Sequence, residues 1–251
     1  MLDTVIEFLK EPLNVVFVVF CMATLVQLFY IFRYYLLIPG YSSEFVMGKS
    51  HPVSVIICAK NEVKNLQNNL PAILEQKYKD FEVIVVDDGS EDNTLEVLHG
   101  FKQKYKHLKF TSIAENNRFT HGKKLAITVG IKAAKNEWLL FTDADCAPAS
   151  EYWISGMQQA FTDEAEIVLG YGGYRREKGL LNLIIRFDTM VIAINYLSAA
   201  LARMPYMGVG RNMAYRKQLF FKNKGFANHY HLLRVMMICL LTRQQPKPIQ
   251  T

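Results

Sequence analysis

Acidic side chains follow three apolar segments of the chain, a pattern typical of a binding site for a divalent metal ion. The residues are Glu62 after residues 52–58, Asp87 and Asp88 after residues 81–86, and Asp143 and Asp145 after residues 137–142. Carboxylates that lie close together repel each other unless a cation or hydrogen-bond donors offset their charge. Hard oxygen ligands suit Mg²⁺ or Mn²⁺, and an ion held there would bridge a diphosphate. An Asp-x-Asp motif is also common on solvated loops, but its position after an apolar strand favours the metal site.

Strands and helices are predicted to alternate along the chain, and these elements must position the carboxylates. Strands are predicted at residues 52–58, 81–86, 107–113 and 137–142, and helices at residues 65–75, 93–105 and 123–134. This alternation implies an α/β fold with a mainly parallel sheet covered on both faces. Ligands of such sheets bind beyond the carboxyl ends of the strands. We therefore expect the three acidic strand ends to converge on one rim.

The composition excludes a disordered chain and leaves several anionic partners open. The 251 residues are 51% hydrophobic and 21% charged, which is too apolar for a chain that stays unfolded. The net charge of +6 is compatible with nucleic acid, lipid headgroups or a phosphorylated ligand, and it selects none of them. The four cysteines form no CxxC pair, which argues against a zinc cluster or a disulfide framework. Cys146, beside the acidic pair, is interpreted as a small buried residue.

An uncharged apolar run at residues 15–32 predicts an uncleaved transmembrane helix. Its 18 residues would span about 27 Å as a helix, close to the thickness of a hydrocarbon core. Arg33 and Lys49 follow the run and Lys10 precedes it, so the positive-inside bias places the remainder of the chain in the cytoplasm. A buried helix or hairpin is the alternative interpretation.

Two common nucleotide-binding motifs are excluded by inspection. The sequence has no GxxxxGK[ST], which excludes a P-loop. The segment that begins at Gly208 and Gly210 starts like a dinucleotide fingerprint, but Met213 occupies the third glycine position. These glycines predict a flexible loop.

Four motifs in order resemble those of family 2 glycosyltransferases. They are Val53-Ser-Val-Ile-Ile57 with Asn61-Glu62, Val85-Val-Asp-Asp-Gly-Ser90, Gly122-Lys123 and Asp143-Ala-Asp145. The resemblance covers about residues 50–233. It implies a GT-A type nucleotide-sugar-binding fold preceded here by one transmembrane helix, a nucleotide-diphosphate sugar donor, a divalent metal, and inversion at the anomeric carbon.

The resemblance also implies a role for each matching residue. Ala59 and Glu62 would line the nucleotide pocket, and Asp88 would hydrogen-bond the base. Asp143 and Asp145 together would hold the ribose, the metal and the diphosphate, with Asp145 as the metal ligand. Lys123 would lie near the nucleotide, and Arg211 near the acceptor and the donor sugar. Metal and cations would stabilise the negative charge that builds on the leaving diphosphate.

The catalytic base that the resemblance leads us to expect after Leu233 is missing from the sequence. Inverting members carry an Asp or Glu in a late acidic motif, yet no acidic residue follows Asp188. The codons of Met236-Met237-Ile238 must read ATG ATG ATH, which spells two adjacent aspartates in a shifted frame. We hypothesise that one base was lost between Leu233 and Arg234 and that residues 234–251 are out of frame. A chance coincidence is the alternative.

These observations predict three regions and leave two functions open. The regions are a membrane anchor at residues 1–40, a glycosyltransferase domain at residues 50–233 and an out-of-frame tail at residues 234–251. The leading function is transfer of a sugar to a lipid or polysaccharide acceptor of the cell envelope, and the alternative is a non-catalytic nucleotide-sugar-binding protein. A nucleotidyltransferase is disfavoured because the loop from Ala59 to Glu62 is not glycine-rich. We expect no nucleic-acid partner.

Overall fold

The computed structural model describes residues 10–41, 50–113 and 122–225, and the chain divides into two compact units at residues 1–41 and 42–251. In the first unit, helix α1 (Pro12–Arg33) is followed by a 3-10 turn at Tyr35–Leu37. Pro12 suits the first helical turn because its missing N–H would have no partner there. No residue of α1 is buried, and its length and hydropathy are sufficient to cross a membrane. The observed helix contains the predicted run, and the buried-helix alternative receives no support.

The second unit is an α/β domain in which strands and helices alternate. Its elements are β1 (Val53–Ala59), α2 (Val63–Leu74), β2 (Phe81–Asp87), α3 (Thr94–Lys104), β3 (Leu108–Ser112), α4 (Lys123–Ala133), β4 (Trp138–Asp143), α5 (Trp153–Gln158), β5 (Ile167–Leu169), α6 (Leu180–Leu201), β6 (Met213–Arg216) and α7 (Lys217–Lys222). The predicted strands and helices up to residue 143 are therefore confirmed, with ends that differ by one or two residues.

The six described strands form one sheet in the order β3-β2-β1-β4-β6-β5. The pairs β1–β2, β2–β3 and β1–β4 are parallel, whereas β6 is antiparallel to both β4 and β5. The mainly parallel sheet is thus confirmed. The sequence did not predict β5 and β6, because strands of three and four residues carry too little alternation to be recognised.

Two apolar layers pack on opposite faces of this sheet. On one face, Val55 and Ile57 of β1 belong to a buried cluster with residues of α2, α3 and α5. On the other face, Ile56 packs against α4 in a cluster that also includes the end of α6 and α7. A strand covered on both faces must be apolar at successive positions, which explains the unbroken run of β1. The polar residues are therefore pushed to the strand ends, where the candidate site lies.

Candidate functional site

The strand order reverses between β1 and β4, and this switch point lies where the acidic residues end their strands. From β1 the chain proceeds to β2 on one side, and β4 later joins β1 on the other side. Cys58 of β1 is paired in register with Asp143 of β4, so Ala59 and Asp143 lie at the same edge. Ligands of open α/β sheets bind in the crevice at such a point.

The loops that follow β1 and β2 are hydrogen-bonded to each other. Asn61 has a positive φ of 57°, and its N–H donates to Ser90 Oγ at 2.8 Å. Its side-chain oxygen accepts the N–H of Glu91 at 2.8 Å, and the Asp88 N–H donates to the Ala59 carbonyl at 2.8 Å. Ala59, predicted to line the nucleotide pocket, and Asp88, predicted to bind the base, are therefore joined directly through their backbones.

The neighbouring carboxylates Asp87 and Asp88 have different surroundings. Asp87 is fully buried and accepts hydrogen bonds from the hydroxyls of Ser90 and Ser112, the second at 2.7 Å. Its carboxylate thus holds the loop after β2 to the end of β3. Asp88 comes one residue later, just after the end of β2, and is 7% exposed.

Glu62 lies beside an open pocket at the end of β1. The Glu62 N–H donates to Thr94 Oγ1 at 3.0 Å, and its carboxylate accepts from the Asn65 amide at 2.5 Å. The pocket has a volume of about 600 Å³, and its lining residues are Asn61, Glu62, Val63, Lys64, Asn65, Asp92 and Asn93. This volume lies within the range of small-molecule sites, roughly 300–1,000 Å³.

Asp143, Asp145 and Cys146 form a compact cluster just beyond β4. One ligand atom from each lies within 4.8 Å of the others. The Cys146 N–H donates to the Asp143 carbonyl at 3.1 Å, and its thiol donates to the Asp145 carboxylate at 3.4 Å. Cys146 is partly exposed, so its interpretation as a buried residue is wrong. Sequence reasoning had the signal for this third member, since Cys146 is adjacent to the acidic pair.

The donor set of this cluster fits a hard divalent ion. Burial, together with the negative charges of Asp145 and Asp143, raises the pKa of the Cys146 thiol to about 12. Sulfur is a soft ligand, whereas Mg²⁺ and Mn²⁺ prefer oxygen, so the two carboxylates are the donors that suit these ions. Carboxylates with room for water or phosphate oxygens suit Mg²⁺ or Mn²⁺. Asp145 is the more exposed of the pair.

Lys123 brings a positive charge to the same edge. It is the first residue of α4, and its ammonium group forms an ion pair with the Asp143 carboxylate. The Lys123 side chain remains 51% exposed and that of Asp143 31% exposed, so the pair is open to solvent and to a ligand. The structure thus brings together two predicted site residues from different motifs.

Arg211 lies at the same edge of the sheet because of the direction of β6, which the sequence did not predict. It precedes β6, which runs antiparallel to β4, so the amino end of β6 lies at the carboxyl edge of the parallel strands. The Arg211 Nε donates to the Gly172 carbonyl at 2.8 Å, and its guanidinium lies 4.9 Å from the Tyr174 ring centroid. These contacts are with the loop after β5 rather than with the acidic cluster.

Asn212 joins three segments beside Arg211, a network that sequence reasoning missed. Its side chain accepts from the Trp153 indole N–H and donates to the Tyr171 carbonyl, both at 2.9 Å. A Cβ on Gly170 would lie 2.4 Å from the Asn212 amide nitrogen, and one on Gly172 would lie 2.7 Å from Arg211 Nε. The glycines of residues 170–173 were the available signal. They permit this close packing, and through it Arg211 and Asn212 of the loop at residues 208–213 are hydrogen-bonded to the loop after β5. The predicted flexibility of that loop stays a prediction.

The position expected for the catalytic base, directly after Leu233, lies outside the described residues. The described part of the domain ends at Gly225, so Leu233 and the tail at residues 234–251 are beyond it. The missing base and the out-of-frame tail therefore stay predictions from the sequence. The residues that the structure brings together at the sheet edge are those expected to bind the donor and the metal.

Comparisons with known proteins identify glycosyltransferases as relatives of this chain. Residues 54–237 match the family model described as glycosyl transferase family 2, so the match ends a little beyond Leu233, the predicted end of the domain. A poly-β-1,6-N-acetyl-D-glucosamine synthase of Staphylococcus epidermidis is 34% identical over 93 residues, which cover 37% of this chain and 21% of the synthase. Glycosyltransferase AglE of Haloferax volcanii is 33% identical over 120 residues, which cover 47% of this chain and 38% of that protein. The matches thus span well under half the length of these relatives.

A protein of known structure has a similar fold. A mannosyltransferase of Pyrobaculum calidifontis, solved with GDP-mannose and Mn²⁺, superposes with a TM-score of 0.64 over 81% of this chain and 55% of that one. The sequence identity is 18%, so this likeness concerns the fold alone. The mixed sheet with its acidic carboxyl edge is accordingly a GT-A type fold. With the family model covering most of the chain, the protein belongs to glycosyl transferase family 2.

Proposed function

We propose that this chain binds a nucleotide-diphosphate sugar and belongs to an enzyme that transfers the sugar, with inversion, to a lipid or polysaccharide acceptor. The observation that carries the proposal is the convergence of Ala59, Asp88, Asp143, Asp145 and Lys123 at the switch point of the sheet. The staphylococcal relative, a polysaccharide synthase, supports the acceptor class.

In this proposal the nucleotide lies across the carboxyl ends of β1, β2 and β4. Ala59 is 2% exposed and forms the floor of the crevice, Asp88 accepts from the base, and Glu62 borders the open pocket. Asp143 accepts from the ribose. The hydrogen bonds between the loops hold these groups in place before the donor arrives, which lowers the entropic cost of binding.

The negative charge of the diphosphate is balanced by the metal ion that Asp143 and Asp145 would hold and by Lys123. Asp145, with Asp143 beside it, would hold Mg²⁺ or Mn²⁺, and such an ion supplies positive charge to the leaving diphosphate. Lys123, which pairs with Asp143, supplies a second positive charge. Arg211 is placed on the sugar side, because it reaches the same edge from β6.

The catalytic base is assigned outside the described residues, to the position after Leu233. Displacement with inversion requires a base on the face of the sugar opposite the diphosphate. The sequence after Asp188 has no carboxylate to serve there. This supports the hypothesis that residues 234–251 are out of frame and that the shifted reading contains the missing aspartates.

Membrane attachment is assigned to α1. Its 22 residues carry no buried side chain, and the basic Arg33 at its carboxyl end suits a cytoplasmic location for the domain that follows. A transferase held in this way would meet lipid-linked or growing polysaccharide acceptors at the membrane.

A donor-binding experiment tests the proposal. The full chain in detergent is titrated with UDP-sugars and GDP-sugars in the presence of Mn²⁺, Mg²⁺ or EDTA, and binding is measured by calorimetry. We expect one nucleotide class to bind, with an affinity that falls about tenfold or more in EDTA. Equal and negligible binding of every nucleotide sugar would contradict the proposal.

A non-catalytic nucleotide-sugar-binding protein is the second candidate. The specific observation in its favour is the absence of any acidic residue after Asp188 in the sequence. The two candidates are separated by incubating the bound donor with acceptor and measuring nucleoside diphosphate release. Binding without release from a chain whose gene reads as written would favour the second candidate.

A further inference from the structure

Helix α6 carries one stripe of residues that faces its own domain. The stripe is Asn182, Arg186, Thr189, Ala193, Tyr196 and Ala200, spaced alternately by four and three residues. Such spacing places side chains on one face of a helix. The last three are buried and the first three are partly buried, so the whole stripe lies on the domain side.

The amino-terminal part of α6 is polar on this inner face and apolar on its outer face. Leu180 and Leu181 are each 71% exposed, Phe187 is 61% exposed, and Leu183 and Ile184 are more than half exposed. The exposed apolar side chains of residues 180–192 cover an arc of about 220° at 3.6 residues per turn, interrupted by Asp188. A surface helix in water has the opposite pattern, and a contiguous apolar patch marks an interaction surface.

Basic side chains lie next to the amino-terminal end of this apolar surface. Arg175, Arg176 and Lys178 are exposed in the segment just before α6, and Arg186 lies within the helix. Together with Glu177 and Asp188, the segment has four basic and two acidic residues. A basic collar beside exposed leucine and phenylalanine is complementary to acyl chains under anionic headgroups.

We propose that residues 175–192 form a membrane-docking surface, in which α6 inserts its apolar arc into the headgroup region of an anionic bilayer. A protein groove that binds a helix contacts only a narrow stripe of the helix surface. The exposed apolar arc of α6 is wide and has arginine and lysine beside it, which favours a membrane surface over a protein groove. The whole of α6, Leu180–Leu201, is long and apolar enough to cross a membrane by length and composition. Its carboxyl-terminal part, however, carries Ala193, Tyr196, Ser198 and Ala200, which are buried in the domain. The exposed part, residues 180–192, measures about 20 Å as a helix, which suits insertion at the interface and is too short to cross a bilayer.

Docking also has a consequence for the candidate site, and this consequence rests on the proposed function. The loop that Arg211 and Asn212 hold leads through residues 175–179 into α6. Tyr196 of α6 donates to the Gly170 carbonyl of that loop at 2.9 Å. A docked α6 would therefore keep the sugar side of the site beside the lipid surface that supplies the acceptor.

The experiment measures whether α6 meets lipid while the full chain is in the membrane. Phe187→Trp is reconstituted in vesicles of phosphatidylcholine and phosphatidylglycerol, and its added fluorescence is quenched by brominated acyl chains or by aqueous acrylamide. Phe221→Trp is the matched control, because Phe221 is 48% exposed on α7. We expect brominated lipid to quench the added signal of Phe187→Trp about threefold more than that of the control.

Two results would overturn the proposal. Quenching of Phe187→Trp by acrylamide to the same degree as the control would place α6 in water. Protection from both quenchers would place it against protein, such as a second copy of the chain. Quenching involves no nucleotide, so failure of the docking proposal is distinguishable from failure of donor binding on the same preparation.

The basic collar is tested separately. Replacement of Arg175, Arg176 and Lys178 by glutamine in the Phe187→Trp background should reduce lipid quenching about fivefold on anionic vesicles. Quenching on pure phosphatidylcholine should be weaker from the start and unchanged by these replacements. Equal quenching on both vesicle types would contradict the electrostatic part of the proposal.

Discussion

The Lys123 ammonium group lies 2.5 Å from the Asp143 carboxylate, and this contact joins the start of α4 to the end of β4. The contact places a positive charge beside the carboxylates at this edge of the sheet. A bound diphosphate would offer Lys123 a more strongly charged partner than Asp143 alone. We therefore expect Lys123 to exchange the Asp143 carboxylate for the diphosphate when a donor binds.

Lys123→Gln should weaken donor binding about five- to tenfold, because one charge-assisted contact to the diphosphate is lost. The free energy of unfolding should change by less than about 1 kcal/mol, since the ion pair is open to solvent. Lys132→Gln, on an exposed position of the same helix, is the control. Calorimetric donor titration and urea unfolding measure the two quantities, and a large loss of stability with intact binding would refute the assignment.

Asp145→Asn should remove the metal dependence of donor binding. The amide oxygen is a weaker ligand than the carboxylate, so Mn²⁺ affinity should fall about tenfold or more. The spectrum of free Mn²⁺ in electron paramagnetic resonance reports this without any turnover. Glu164→Gln is the control, because Glu164 is exposed and precedes the amino end of β5, at a distance from the acidic cluster along the sheet. Unchanged Mn²⁺ binding in Asp145→Asn would count against the metal site.

Gly130→Ala should destabilise the domain by about 1–3 kcal/mol, although alanine favours helices. A Cβ at this position of α4 would lie 2.7 Å from Ile56 Cγ2 and 3.2 Å from Val86 Cγ2, where the branched side chains cannot move aside. Gly100→Ala in α3 is the matched control, because its Cβ would meet nothing within 4 Å. The control should gain up to about 1 kcal/mol. Equal stabilisation of both variants in urea unfolding would show that α4 lies further from the sheet.

The domain should lose stability in acid because the stabilising contacts of Glu82 require its charged form. Burial alone would raise the pKa of this carboxyl, but the Lys109 ammonium at 2.8 Å, the Ser54 hydroxyl at 2.6 Å and the Lys135 N–H at 2.8 Å outweigh burial and lower the pKa. A folded pKa below the unfolded value contributes stability above the unfolded value and loses it as pH falls through the folded pKa.

The test compares how the free energy of unfolding varies with pH in the wild type and in Glu82→Gln. The wild type should lose stability more steeply below the ordinary glutamate pKa of 4.5. Glu164→Gln should keep the wild-type slope. Parallel curves for the wild type and Glu82→Gln would contradict the assigned pKa.

The nucleotide sequence of the gene from codon 225 onward should contain a recoverable frame. Restoring one base after the codon of Leu233 should convert the codons of Met236 and Met237 into part of a run of aspartate codons, followed by further coding sequence. The corrected chain should then transfer sugar where the 251-residue chain does not. Codons that cannot spell an acidic motif would end the frameshift hypothesis.

The pattern of residues along the chain is sufficient to predict the parallel core and the position of its acidic edge. Strands β1, β2 and β4 are recognisable because burial on both faces requires apolar residues at successive positions. The same burial forces Asp87, Asp88, Asp143 and Asp145 to the strand ends. Parallel strands place those ends together, so local pattern was sufficient for this part of the site.

The contacts that distinguish these residues from one another are visible in the folded domain and not in the sequence. It shows Asp87 holding Ser90 and Ser112, Lys123 paired with Asp143, and Arg211 delivered to the same edge by the antiparallel β6. It also shows which face of α6 is turned toward the domain. Each of these depends on contacts between residues distant in sequence, and strand order and register are fixed by packing across the whole sheet rather than by neighbouring residues.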